Sequence, residues 1–282
     1  MNEPSHTTAV LKFGGEVVAD PGQLATVLRE VADLVASGWR FVVCHGGGPQ
    51  ASELGRRLGI EPIMIAGQRV TDAETLRVVC QVLAGEVSCA VVAAARAVGL
   101  RAIGISSGLV TAQRRPLVTV ANEFDRSVDY GLVGDVIGVD RGAIEGLWSL
   151  GSTPVINPIG VGAQPGQAAL FNINADTVAS AIAAELDADH LFSVTSVPGV
   201  LRDRADPRTR IARLDANEAR AAIADGVCAG GMIPKVEEAL AALERVKAVH
   251  ILAPEPGALA AEARKPGSRG TVLVRLERSV IQ

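Results

Sequence analysis

The chain has 282 residues, of which 48% are apolar and 21% charged, and its net charge is −4. This length suffices for one large domain or two lobes. The weak acidic charge and the lack of a Lys/Arg block argue against nucleic-acid binding. No signal-peptide pattern opens the chain, and the apolar stretch within 87–98 is too short to cross a bilayer. We therefore expect a soluble cytoplasmic protein whose scattered cysteines are reduced thiols.

Apolar patterns predict alternating strands and helices. In chain order they are a strand at 9–13, a helix at 21–37, a strand at 40–44, a helix at 49–58, a helical stretch at 72–98 interrupted near Gly85, a strand at 100–105, projecting hairpins within 109–140, a helix at 140–150, a strand at 153–156, a helix at 174–186, a strand at 190–194, helices at 215–225 and 231–246, and a strand at 248–252. This order predicts an α/β fold whose mainly parallel sheet is covered on both faces.

Two glycine runs follow predicted strands, Gly14-Gly15 and Gly46-Gly47-Gly48. Ligands of such folds bind beyond the carboxyl ends of the strands. A strand, a glycine turn and a helix N-terminus together present free N–H groups to an anion. The alternative is a tight turn that needs glycine only for steric reasons. Three consecutive glycines exceed that need, so we favour an anion site.

Several charged or amide side chains accompany these glycines. Lys12 falls on a strand buried on both faces, where it needs a partner or an opening to solvent. Asn174 and Asp176 fit a helix N-cap and first turn, although capping leaves Asn172 unexplained. Lys235 lies near a helix start, where the dipole disfavours a cation unless an anion binds; the alternative is a solvated lysine paired with Glu237 or Glu238. Arg69 could pair with a substrate carboxylate or form a surface salt bridge.

Seven ordered motifs make the pattern specific. They are Lys12-Phe-Gly-Gly, His45-Gly-Gly-Gly-Pro-Gln, Gly67-Gln-Arg-Val-Thr-Asp, Gly131-Leu-Val-Gly-Asp, Asn172-Ile-Asn-Ala-Asp, Gly230-Gly-Met-Ile-Pro-Lys and Gly270-Thr. Over residues 10–274 this series resembles the N-acetylglutamate-phosphorylating branch of the amino-acid kinase family. The resemblance implies a three-layer αβα sandwich in one domain, 1–282. Its first lobe, 1–187, would bind substrate and form a homodimer, and its second, 188–282, would bind ATP.

The resemblance also implies the reaction and its residues. MgATP would phosphorylate the side-chain carboxylate of N-acetyl-L-glutamate in the second step of arginine biosynthesis, with Mg²⁺ held mainly by nucleotide phosphates and no protein metal site. The implied roles are catalysis for Lys12, Lys235 and Asp176, phosphate binding for Gly14, Gly15 and Gly46, substrate binding for Gly47, Gly48, Arg69, Asn172 and Asn174, and nucleotide binding for Thr195, Ser196, Gly231 and Met232. An ionised carboxylate is already a nucleophile, so positioning and charge neutralisation suffice.

Two departures from the family pattern bear on regulation and nucleotide binding. Ser196 stands where relatives commonly have Asp, which puts nucleotide affinity in question. About nine residues precede the first strand, so we expect a dimer that arginine does not inhibit through an N-terminal helix.

Two rival functions remain open. One is a kinase for carrier-linked aminoadipate or glutamate in lysine biosynthesis, which the residues around Gly48 and Val70 disfavour. The other is a catalytically weak amino-acid or nucleotide sensor. Only Ser196 favours the sensor.

Overall fold

A computed structural model of the chain describes residues 6–120, 127–164, 169–203, 205–228 and 232–275. The strands in these ranges are β1 (Thr8–Phe13), β2 (Arg40–His45), β3 (Met64–Ile65), β4 (Gln68–Arg69), β5 (Ala102–Ile105), β6 (Val110–Arg114), β7 (Val118–Thr119), β8 (Ser127–Val128), β9 (Gly134–Val139), β10 (Thr153–Ile156), β11 (Ile159–Gly162), β12 (Leu170–Asn172), β13 (His190–Val194), β14 (Arg213–Asp215), β15 (Ala248–Leu252) and β16 (Thr271–Val274).

The α-helices are α1 (Gly15–Ala19), α2 (Pro21–Ala36), α3 (Gly48–Arg57), α4 (Ala73–Cys80), α5 (Ser88–Ala97), α6 (Arg141–Ser149), α7 (Ala175–Glu185), α8 (Ala216–Ala224), α9 (Met232–Ala242) and α10 (Ala258–Arg264). A π-helical segment, Gln81–Val87, joins α4 to α5 and contains the predicted interruption at Gly85.

The central sheet has eight strands in the order β14-β16-β15-β13-β1-β2-β10-β5. Neighbouring strands run parallel except at the antiparallel pair of β15 and β16. The prediction of a mainly parallel α/β sheet is therefore confirmed. β1 lies between β13 and β2, so both of its edges are hydrogen-bonded.

Side chains of β1 alternate between the two faces of this sheet. Val10 packs in the core that contains α7 and α9, whereas Leu11 and Phe13 pack in the core that contains α2 and α5. Because successive strand residues point to opposite faces, Lys12 shares the face of Val10 and points toward α7. The alternation of one strand thus aims the first lysine at the helix that carries Asp176.

The segment predicted as projecting hairpins contributes to a second, four-stranded sheet of order β12-β11-β6-β9. The prediction over 109–140 is confirmed for its described part, and residues 121–126 lie outside the described ranges. The elements that were not predicted are β11, β12, β14, β16, α1, α10 and the hairpin β3–β4. Short strands carry too few residues for a clear period, so their pairing depends on tertiary contacts.

The helical stretch Ala73–Ala97 is long and apolar enough to cross a membrane by length and composition. Our sequence prediction underestimated its apolar length. Its inner side chains, including Val78, Leu83 and Val91, are buried in the core beside α2. This packing is that of a core helix, in which one face is buried against the domain.

Candidate active site

A cavity of about 190 Å³ lies beyond the carboxyl end of β2. Its lining joins the glycine turn Gly46–Gly48 to distant segments: Arg69 on β4, Arg115 after β6, and the run 172–175 from the end of β12 to the start of α7. The position matches the rule that ligands of parallel α/β sheets bind where strands end and helices begin. Sequence-predicted residues separated by more than a hundred positions therefore line one cavity.

Lys12 and Asp176 form an ion pair beside this cavity. The Lys12 ammonium lies 2.6 Å from Asp176 Oδ1 and 2.7 Å from Oδ2, and the two side chains are 8% and 21% exposed. Asp176 stands in the first turn of α7, where the helix dipole favours a negative charge. The strand lysine that needed a partner has one.

Asn174 caps α7, as the capping interpretation requires. Its Oδ1 accepts a hydrogen bond from the Asp176 N–H at 2.7 Å, which holds the first turn that presents the carboxylate. Its Nδ2 lies 3.4 Å from Glu238 Oε1, a weak contact with α9. Asn172 is not needed for this cap; its Nδ2 donates to Thr71 Oγ1 at 3.1 Å, and its side chain lines the cavity.

The two glycine turns approach each other closely. A Cβ atom on Gly15 would lie 2.9 Å from Pro49 Cδ and 3.1 Å from Gly47 Cα, and one on Gly47 would overlap Leu83. The Gly46 N–H donates to Phe13 O at 2.9 Å, and Gln50 Nε2 donates to Gly15 O at 2.7 Å. No side chain caps α1 at Gly14 or α3 at Gly47. Backbone N–H groups at both helix starts are thus placed to bind an anion.

Arg69 lines the cavity without an acidic partner among the described residues. Its Nη2 donates to Gly48 O at 3.0 Å and to Ser52 Oγ at 2.7 Å, both uncharged acceptors. Burial, and secondarily the charge of Arg56, lowers the pKa of Arg69 from its usual value. A half-buried guanidinium that lacks a countercharge favours an anionic ligand over the surface salt bridge considered above.

Lys235 lies on α9, and no carboxylate of the described part of the chain is within salt-bridge distance of its ammonium. The family resemblance implies that Asp176 holds both lysines in place, and the described residues show this contact for Lys12 alone. Glu238 lies one turn further along α9. Burial, and after it the charge of Asp176, raises the pKa of Glu238 to about 7, while the charges of Lys12 and Lys235 oppose this rise. The sequence suggested Glu238 only as a solvated partner of Lys235.

The residues predicted to bind nucleotide lie after β13, in the case of Thr195 and Ser196, and around the start of α9, in the case of Gly231 and Met232. Thr195 is buried, and its N–H donates to Leu252 O at 2.9 Å, whereas Ser196 is exposed. Met232 is the first residue of α9 and packs on the core, while Gly230 and Gly231 lie outside the described residues. Their predicted role in nucleotide binding stays a prediction.

His45 lies on the glycine turn. Its Nδ1 is 3.0 Å from Gly46 O, and burial lowers its pKa to about 4. A neutral ring in this place orders the backbone of the turn and carries no charge at neutral pH.

The chain resembles known proteins over most of its length. Residues 7–253 match the model of the amino acid kinase family. The acetylglutamate kinase of Sorangium cellulosum (strain So ce56) is 51% identical over 270 residues, 94% of each chain. A solved N-acetylglutamate synthase from Neisseria gonorrhoeae, complexed with coenzyme A and N-acetylglutamate, has a TM-score of 0.77 at 26% identity, over 95% of this chain and 59% of that one. Giardia carbamate kinase, at 17% identity and a TM-score of 0.70 over 96% of this chain and 100% of that one, shares the fold.

Proposed function

This chain belongs to the amino acid kinase family, and we propose that it transfers the γ-phosphoryl group of ATP to the side-chain carboxylate of N-acetyl-L-glutamate. The product is N-acetyl-L-glutamyl 5-phosphate, an intermediate of arginine biosynthesis. The similarity to acetylglutamate kinases over nearly the full chain supports this reaction.

One observation carries the proposal: the cavity is lined by the Gly46–Gly48 turn and by Arg69, which lacks an acidic partner among the described residues, and the Lys12–Asp176 pair and the Gly14-Gly15 turn lie beside it. A dicarboxylate substrate has one carboxylate to react and one to be held. Arg69 suits the held α-carboxylate because its planar guanidinium can donate two parallel hydrogen bonds. Asn172 lies on the same wall and can donate to or accept from the acetamido group.

The reaction needs little acid–base help from the protein. A γ-carboxylate oxygen attacks the γ-phosphorus, the bond from that phosphorus to the β,γ-bridging oxygen breaks, and ADP leaves with the electron pair. Lys12 and Lys235 would neutralise charge on the phosphoryl in transit, with Asp176 orienting Lys12. N–H groups at Gly14, Gly15 and Gly47 would donate to its oxygens, whereas the Gly46 N–H, which was also assigned to phosphate, already donates to Phe13 O. Stabilisation of this kind is worth most in a partly dry site.

We propose that ATP binds through residues 188–282, near Thr195, Ser196, Gly231 and Met232, and that residues 1–187 bind the acylated amino acid. The uncapped N-termini of α1 and α3 fit a phosphate group by their donor character. Mg²⁺ would be held mainly by the phosphates and would offset their charge during transfer.

The test is a trapping assay with the purified chain. MgATP and N-acetylglutamate should give an acyl phosphate that hydroxylamine converts to a hydroxamate, while N-acetylaminoadipate should react poorly. A failure to form any hydroxamate from N-acetylglutamate would refute the proposal. ATP and N-acetylglutamate binding by calorimetry without turnover would instead favour the sensor. Efficient reaction of N-acetylaminoadipate would favour the lysine-biosynthetic rival.

We further propose that the protein is a cytoplasmic homodimer. β5 is an edge strand of the central sheet, and beside it α5 exposes the small side chains Cys89, Ala90, Ala93 and Ala97. Small residues on an unpartnered helix allow close approach of a second copy. Light scattering should give twice the chain mass, and Ala93→Glu should give the single-chain mass; a monomeric wild type would refute the dimer.

A further inference from the structure

The outer wall of the proposed substrate cavity is made by two side chains, Gln68 and Arg115. Arg115 Nη1 donates to Gln68 Oε1 at 2.5 Å, and Arg115 Nε donates to Asp135 Oδ1 at 2.7 Å. The Arg115 side chain is only 14% exposed. Both Gln68 and Arg115 also line a second cavity of about 430 Å³, together with Val118, Tyr130 and Asp135. The pair therefore stands between the inner cavity and the outer one.

We propose that this Gln68–Arg115 pair limits the length of the N-acyl group that the enzyme accepts. The proposal rests on the function proposed above, because it concerns the acyl end of that substrate. An intact pair leaves the inner cavity of about 190 Å³ for the substrate, which suits a short acyl group. A longer or carrier-linked substituent would have to displace the pair to reach the outer cavity.

The pair lies on the acyl side of the cavity. Arg115 N–H donates to Val133 O at 2.8 Å, and Val133 forms a bridge to Asn172. Asn172, assigned to the acetamido group, is thus separated from Arg115 by a single intervening backbone segment. The phosphoryl end is defined by Gly46 and Lys12 at the carboxyl ends of β2 and β1.

The positive charge of Arg115 is paired with a carboxylate of the protein. Asp135 neutralises it, whereas Arg69 has no acidic partner in the described ranges. A neutralised, hydrogen-bonded guanidinium is a poor receptor for a second carboxylate and a good rigid spacer. The two arginines of the cavity therefore differ in role: Arg69 holds the α-carboxylate and Arg115 closes the acyl end.

The β3–β4 hairpin, which carries Gln68, is held by Tyr130, a residue that lines the outer cavity. Tyr130 Oη donates to Ile65 O at 3.2 Å, and the turn between β3 and β4 places Ala66 and Gly67 at positive φ values of 47° and 77°. Because the Tyr130 contact holds the end of β3, the hairpin presents Gln68 to Arg115. The wall is built by tertiary contacts between the hairpin and β6–β9.

The experiment measures kcat/KM for N-acetyl-, N-propionyl-, N-butyryl- and N-hexanoylglutamate by the hydroxamate assay. In the wild type we expect a fall of about tenfold or more between the acetyl and butyryl substrates. Gln68→Ala and Arg115→Met should each reduce that ratio several-fold, because each removes the hydrogen bond that closes the wall. Using both variants keeps the test decisive if one of them folds poorly.

Arg114→Met is the matched control. Arg114 is adjacent in sequence but donates to Gly131 O and Asp129 outside the cavity, so its loss should leave the acyl-length ratio unchanged. A wild type that uses N-hexanoylglutamate as well as N-acetylglutamate would overturn the inference, as would Gln68 and Arg115 variants with an unaltered ratio. Absence of turnover with every acylglutamate would instead refute the proposed function.

Discussion

The two lysines of the site contrast sharply. Lys12, on the central strand β1, is buried and bound to Asp176, and its position is determined by a hydrogen-bonded sheet on both sides. Lys235, on α9, is half-buried and has no carboxylate at salt-bridge distance in the described residues. Asp176 positions Lys12, and in the proposed mechanism Lys235 would instead meet the charge of a ligand. In the proposed phosphoryl transfer, both cations would offset charge that develops on the transferring group.

The largest expected effect is that of Lys12→Ala, because it changes both activity and stability. Loss of a preorganised cation at the transferring phosphoryl should lower kcat by about 10³-fold. The variant also leaves the Asp176 carboxylate partly buried and unpaired, which should lower the free energy of unfolding by about 1–3 kcal/mol. Urea denaturation and the hydroxamate assay measure the two losses.

The control for this stability effect is Lys247→Ala, which removes an exposed ion pair with Asp189 whose lysine is 73% exposed. It should cost less than about 1 kcal/mol. Equal stability losses in the Lys12 and Lys247 variants would contradict the special position of Lys12.

Lys235→Ala should affect activity alone. We expect kcat to fall by about 10²-fold, because the variant lacks one of the two cations that would neutralise charge on the phosphoryl group in the transition state. The melting temperature should stay at the wild-type value because no protein ion pair is lost. An unchanged kcat would remove Lys235 from the mechanism, and a marked drop in melting temperature would show that the contrast with Lys12 is wrong.

Arg69→Lys should act on substrate binding. An ammonium cannot form the bidentate pair, so KM for N-acetylglutamate should rise about 10-fold to 100-fold while kcat changes little. Initial-rate kinetics with saturating MgATP separate the two constants. A fall in kcat with unchanged KM would place Arg69 at the reacting group instead of the α-carboxylate.

The smallest effect is a pH dependence of stability from Glu238. Burial and Asp176 raise its pKa to about 7 in the folded chain. The folded state therefore holds this proton more tightly than the unfolded state, whose Glu pKa is about 4.3. The stabilisation is complete below the unfolded pKa and is lost as pH rises to about 7.

Glu238→Gln tests this linkage by urea titration at pH 5 and pH 8. The wild type should lose more stability over this interval than the variant, and the difference between the two proteins isolates Glu238 from the buried histidines. Parallel losses in both proteins would assign the pH dependence to other groups. Glu237→Gln, at an exposed position of the same helix turn, is the control; its charge is the smallest cause of the raised pKa of Glu238, so this variant should stay closer to the wild type than Glu238→Gln.

Long, strongly periodic elements could be predicted from the sequence. The central strands and α2, α3, α6 and α7 begin and end close to their predicted bounds, since an alternating or helical apolar pattern is a local property of the chain. Strands of three or four residues were predicted unevenly: β5 and β10 were predicted, whereas β11, β12 and β16 were not. So few residues set no clear period, and the conformation depends on the partners with which the strand pairs.

The residue types of the site could also be named in advance, but their pairings could not. Lys12, Asp176, Arg69 and the glycine turns all appear in the motifs, yet capping and turn formation explained several of them equally well. Arg115 lines the same cavity and carried no sequence signal that set it apart from ordinary polar positions. Gln68 stood in a motif without an assigned role, and Glu238 was considered only as a solvated partner of Lys235.

The sequence alone determined the mainly parallel α/β architecture, the placement of glycine turns after strands and the set of charged residues near them. These depend on periods of two and 3.6 residues and on the backbone freedom of glycine, which act over a few positions. Only the tertiary structure decided that Lys12 binds Asp176, that Arg69 stays without an acidic partner among the described residues, and that Arg115 reaches Gln68. Those outcomes depend on which side chains the packed layers bring within about 3 Å, a distance that local patterns do not specify.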